Sequence, residues 1–95
     1  MSKLTPLTPK QRQALKQQAH HIQPTVMIGQ HGLTDAIIQE TERSLLAHEL
    51  IKIRILGEDR ALREEICQTL CTTLNAHLVQ HIGKLLIVWR ANEEK

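Results

Sequence analysis

Residues 25–34, TVMIGQHGLT, have the types and spacing best suited to holding an anion. Val26, Met27 and Ile28 make a short apolar run, and Gly29, Gln30, His31 and Gly32 form a GxxG turn. Leu33 and Thr34 then lead into DAIIQETERSLLAH, an apolar pattern of helical period. Strand, glycine turn and helix start follow in that order. Glycine lets a backbone take positive φ and lie close to a ligand. A helix start leaves its first N–H groups unpaired at the positive end of its dipole. Together these make a place for a phosphate. Gln30 offers an amide donor, and His31 an imidazole that adds charge when protonated. Asp35 counts against an anion there, because a carboxylate in the first helical turn competes for the same dipole. A tight strand-to-helix connection that uses glycine for geometry alone is the plain alternative. A nucleotide P-loop is disfavoured, since no Lys-Ser/Thr follows the glycines.

Other chemistry is thinly supplied. Six histidines invite a metal site, but His77 and His81 sit four apart on a strand, about 13 Å from one another. His20 and His21 are adjacent and diverge. No metal and no other cofactor is expected. Cys67 and Cys71 fall within one helical pattern, where an i,i+4 disulfide is geometrically poor; they read as reduced core residues. Neither has an activating partner, and no paired carboxylates stand near the glycine turn. No catalytic residue is therefore assigned, and no small-molecule substrate.

Composition sets the frame. Ninety-five residues give one modest core, expected as a single domain over residues 1–95 with its core at about 9–90. Trp89 is the sole aromatic residue, so that core must be aliphatic. Net charge is only +2, yet residues 1–34 carry Lys3, Lys10, Arg12 and Lys16 and no acid, while the remainder is slightly acidic. The chain thus has a basic end. Residues 1–8 hold no long apolar run, and no stretch approaches the roughly 20 apolar residues of a membrane span. No leader and no membrane partner are expected, and the location expected is cytoplasmic.

The elements that position these residues can be read in turn. Thr8 and Pro9 open a first helix as N-cap and first residue, running to about His20. Its apolar stripe is narrow (Ala14, Leu15, Ala19, with Ile22 beyond), and Gln11, Arg12, Gln13, Lys16, Gln17 and Gln18 cover a wide, partly basic face. That face is either simply solvated or part of a surface for an anionic partner. Pro24 breaks the helix, and residues 25–28 form a strand. A second helix, capped by Thr34, runs to about His48 with Leu33, Ile37, Ile38, Thr41, Leu45 and Leu46 toward the core. In the second strand, residues 49–56, Ile51, Ile53 and Ile55 point one way and Leu50, Lys52 and Arg54 the other. Asp59 caps a third helix with Leu62, Ile66, Cys67, Leu70, Cys71 and Leu74 inward and Arg60, Arg63, Glu64 and Glu65 outward. Residues 76–82 and 85–90 make two strands joined by Gly83-Lys84, which suits a type II′ hairpin turn. The order α-β-α-β-α-β-β predicts an α/β fold with a mixed four-stranded sheet and three helices, the second and third on one face.

The functional reading of the loop is a cradle for nucleic-acid phosphates, and if RNA is the partner, composition constrains how it is held. Without exposed aromatics there is no stacking platform, so contacts should go to phosphate and sugar and read shape more than sequence. The candidate RNA-binding residues are Gly29, Gln30, His31 and Gly32 in the loop, Lys10, Arg12 and Lys16 on the first helix, Lys52 and Arg54 on the second strand, and Lys84 at the hairpin.

The lysine-bearing first helix, the segment PTVMIGQHGLTDAII, the strand HELIKIRI and the ending IGKLLIVWR resemble the chloroplast RNA splicing and ribosome maturation (CRM) family, in its single-domain, YhbY-like bacterial branch. The resemblance covers about Pro9 to Arg90. It implies a fold similar to the C-terminal domain of translation initiation factor three, and RNA binding through residues 29–32 with nearby basic residues. It further implies a non-catalytic, monomeric protein that contacts ribosomal RNA in precursors of the large ribosomal subunit. One departure from the family pattern is that neither middle residue of the loop is Lys or Arg. A protein–protein module docking on ribosome precursors is the alternative, with Leu4, Leu7 and Ile22 as its expected apolar patch.

Overall fold

The computed structural model describes residues 7–29 and 31–91. Three helices and four strands follow in the expected order: α1 (Pro9–Ala19), β1 (Pro24–Ile28), α2 (Asp35–His48), β2 (Leu50–Ile55), α3 (Arg60–Leu74), β3 (His77–Ile82) and β4 (Leu85–Trp89). Each helix begins where its capping residue dictates. Thr8 and Gln11 form a reciprocal capping box on α1, with bonds of 2.9 and 3.0 Å. The Thr34 hydroxyl accepts from the Ile37 amide, and the Asp59 carboxylate from the Leu62 amide, each at 3.2 Å. Asn75 ends α3 in the left-handed conformation that Asn tolerates. Gly83 has φ 56° while Lys84 is not left-handed, the φ signs of the expected type II′ turn.

The sheet order is β1-β2-β4-β3. β1 and β2 are parallel, and β4 lies antiparallel between β2 and β3. Alternation, interrupted by register shifts at Pro24–Val26 and Leu78–Gln80, divides the sheet into two faces. Val26, Ile28, Ile51, Ile53, Ile55, Leu86 and Val88 meet Leu45 of α2 and Ile66, Cys67, Leu70 and Leu74 of α3 in the main core. On the other face Leu15 and Ala19 of α1 meet Val79 and Ile87, with Leu7, Leu50 and Trp89 packed around them. Leu50, Trp89 and His77 lie in register across β2, β4 and β3, at the end of the sheet opposite the glycine turn. The rings of His77 and Trp89 are 5.6 Å apart there.

Four packing expectations need correction. Leu46 and Leu62 were read as core, but they are 55% and 50% exposed, because each stands at the margin of its helix's buried stripe. Ala14 is exposed, leaving α1 only Leu15 and Ala19 as buried residues. Arg63, read as outward, is half-buried and donates to the Gly57 carbonyl at 2.7 Å.

A candidate nucleic-acid interface

Three connections meet at one end of the sheet: the β1–α2 turn, the β2–α3 loop and the β3–β4 hairpin. Main-chain bonds tie them together there. The Leu56 amide donates to the Ile28 carbonyl and the Ile55 amide to the Lys84 carbonyl, each at 2.8 Å. Gly29, Gly32, Gly57 and Lys84 accordingly line one cleft.

The glycine turn closes on itself, because the Gly32 amide donates to the Gly29 carbonyl at 3.1 Å. That amide is thereby removed from the set of open donors the sequence suggested. The Thr34 hydroxyl and carbonyl take the amides of Ile37 and Ile38. Left without a hydrogen bond among the described residues are the amides of His31, Leu33, Asp35 and Ala36, at the positive end of α2. The two glycines differ. Gly32 has φ 76°, which favours glycine sterically, whereas Gly29 does not, and a Cβ at either would meet no atom within 4 Å. His31 is exposed beside them. Gln30 lies outside the described residues.

The basic candidates divide into groups. Lys84 lines the cleft and pairs with Glu58 at 3.0 Å. Its ammonium, hydrogen-bonded to Glu58, holds that carboxyl below its ordinary range. With the Glu58 side chain 93% exposed, water screens the pair, and an incoming anion can compete for the lysine. Arg54 is exposed on the α1 side of the sheet, one row from the glycine turn, in register with Met27 of β1 and Leu85 of β4. Lys52 stands two residues further along the same face. Neither makes a hydrogen bond or ion pair among the described residues.

The α1 candidates do not converge on this end. Arg12 was read as part of the polar outer face, but its Nη1 donates to the carbonyls of Leu78 and Val79, both at 2.8 Å. These carbonyls lie where the β3–β4 register shifts, a bulge that turns main-chain oxygens out of the ladder. Arg12 is thus a clamp between helix and sheet. Lys16, one turn on, is half-buried beside it. Lys10 is exposed and stands about 160° around the helix axis from Arg12, away from the sheet.

Leu56, Gly57, Glu58, Asp59 and Leu62 were not foreseen beside the glycine turn. One signal was present: Gly57 follows the second strand and precedes its helix much as Gly29 follows the first. What the sequence lacked was the parallel pairing of β1 with β2, which sets the two glycines side by side. Of the apolar patch expected for protein docking, Leu7 packs into the α1-side cluster, Ile22 is half-buried, and Leu4 lies outside the described residues.

Known proteins share this architecture. The solution structure of the protein SAV1595 from Staphylococcus aureus superposes with a TM-score of 0.81 at 32% identity, covering 94% of this chain and 93% of that one. An RNA-binding protein of Haemophilus influenzae is 42% identical over 96% of this chain and 92% of its own length. A Pseudomonas aeruginosa relative, named a probable RNA-binding protein, is 37% identical over 90% of this chain and 83% of its own. The CRS1 / YhbY (CRM) domain matches residues 7–90. That match runs through every helix and strand described above, and the chain belongs to the CRM domain family.

Proposed function

We propose that the protein is a non-catalytic RNA-binding protein that grips ribosomal RNA at the Gly29–Gly32 turn and assists assembly of the large ribosomal subunit. The observation that carries this reading is the group of amides at the start of α2 unpaired among the described residues, next to the Gly29–Gly32 turn that shares a cleft with Lys84 and on the same end of the sheet as Arg54. Main-chain donors at a helix start recognise phosphate oxygens, and cations alongside add the long-range attraction. The names borne by the relatives from Haemophilus influenzae and Pseudomonas aeruginosa agree with an RNA partner. Filter binding to ribosomal RNA across a salt series tests it. Affinity should fall steeply as salt rises, and affinity that stays flat counts against the proposal.

One observation favours a second reading, docking on a protein of the ribosome precursor. Met27 and Ile82 are 55% and 50% exposed on the sheet face left open beyond α1, in the row that also holds Arg54 and Leu85. Sedimentation with precursor particles before and after nuclease treatment separates the two. Co-sedimentation that survives nuclease supports the protein partner.

A further inference from the structure

The cleft between the glycine turn and the β2–α3 loop is larger than a phosphate site needs, and its chemistry is different. Its volume is about 380 Å³, within the range of pockets for small organic groups. Ile55 and Ile66 lie buried beneath it, and Leu56 and Leu62 stand at its rim, 39% and 50% exposed. Leu62, at the margin of the buried stripe of α3, thereby presents an aliphatic side chain to the cleft.

The two glycines that flank the cleft add a second observation. Neither Gly29 nor Gly57 has positive φ, and an added Cβ at either position would meet nothing within 4 Å. Backbone conformation does not demand glycine at these two places, and neither does internal crowding. Both positions open onto space that the cleft shares. The carboxylates supply the third. Glu58 and Asp59 line the same cleft, and Asp59 already spends one oxygen on the Leu62 amide. Carboxylates repel a phosphate but accept hydrogen bonds from base amino and imino groups and from ribose hydroxyls.

We propose that this cleft takes the base of one unpaired nucleotide, whose phosphate lies on the open amides of His31 and Leu33. The inference rests on the RNA-binding reading and specifies which RNA is bound. Aliphatic side chains at the rim hold the base in place of an aromatic platform. The acceptors on the α3 side meet its polar edge or its ribose. A fully paired helix keeps its bases stacked inside and cannot fill such a cleft, so the partner must present a bulge, a loop or a single strand.

The test uses fluorescence-labelled RNA hairpins and the full chain. One hairpin is fully paired, one carries a single bulged nucleotide, and one carries the same bulge with the base removed but ribose and phosphate retained. The bulged hairpin should bind about tenfold more tightly than the paired one, and the abasic bulge should lose most of that gain. Leu62→Ala and Gly57→Val should each reduce binding of the bulged hairpin to the level of the paired one, with thermal melting within a few degrees of the parent protein. Equal binding of all three hairpins, or an abasic bulge bound as well as the complete one, overturns the cleft proposal while leaving RNA binding in place. Failure to bind any of the three overturns both.

Discussion

Gly29 and Gly32 look alike in the sequence and are held by different forces. Replacing Gly32 by Ala forces a Cβ into the left-handed region and should cost about 1 kcal/mol of stability. Gly29→Ala meets no such strain, so it should leave stability unchanged or raise it by about 0.4–1 kcal/mol through the unfolded chain. Denaturant midpoints separate the two, and both variants should bind RNA more weakly than the parent. Glu58 is the second residue with a definite expectation. Glu58→Gln releases Lys84 from its ion pair, so affinity for a fully paired RNA, which leaves the cleft empty, should rise a few-fold and the salt dependence should steepen by up to about one unit of slope. Filter binding over a salt series reads both effects. At this scale the sequence identified the loop but not the bonding within it. A GxxG pattern does not say that the Gly32 amide turns back to Gly29, because that closure depends on three-dimensional turn geometry.

Among elements, α1 teaches most. Its lysines and arginine form one basic run in the sequence, yet Arg12 is bound to the carbonyls of the β3 bulge and Lys10 faces away from the sheet. Arg12→Met should therefore destabilise the fold by about 2–3 kcal/mol, since two carbonyls lose a charged donor, and should leave the salt slope of RNA binding nearly unchanged. Arg54→Met should do the reverse: stability within about 0.5 kcal/mol of the parent, and a slope smaller by about 0.7–0.9. Urea titration together with salt-series binding checks the pair. Helices and strands themselves were legible, because Thr8, Thr34 and Asp59 cap helices and the Ile51-Ile53-Ile55 alternation needs no partner to be recognised. The bulge at Leu78–Gln80 was not legible. No glycine marks it in HLVQHI, and only the pairing with β4 reveals it. The fate of Arg12 depends on that bulge.

For the molecule as a whole, two groups besides the exposed Glu58 make stability depend on acidity in the same direction. Burial, and then the nearby charge of Arg12, hold His77 below its ordinary value of 6.5. Its contribution is complete above 6.5 and is lost as pH falls through the lower folded value. Glu42 accepts two bonds from Arg90, at 2.7 and 3.0 Å, which hold its carboxyl below 4.5 despite partial burial. That contribution is present above 4.5 and is lost as pH falls through its own folded value. Urea midpoints should thus decline in two steps from neutral pH downward. His77→Gln should remove the upper step and Glu42→Gln should shrink the lower, to which Glu58 also contributes. Arg90 also donates to the Leu74 carbonyl at 2.9 Å, so this one side chain joins α2, the end of α3 and the end of β4. Strand order is what the sequence withheld at this scale: the insertion of β4 between β2 and β3 is a choice among pairings that local patterns do not rank.

Leu50, Trp89 and His77 occupy one end of the sheet, while the glycine turn, Gly57 and Lys84 occupy the opposite end. β4 ends at Trp89, so Arg90 and Ala91 leave the sheet at the end away from the cleft. A tether to a sensor surface, a bulky fluorescent fusion or a second copy of the domain joined after β4 should leave RNA affinity per domain unchanged. Two such domains in series should grip a long transcript by avidity, most strongly where the linker matches the span between the two bound sites.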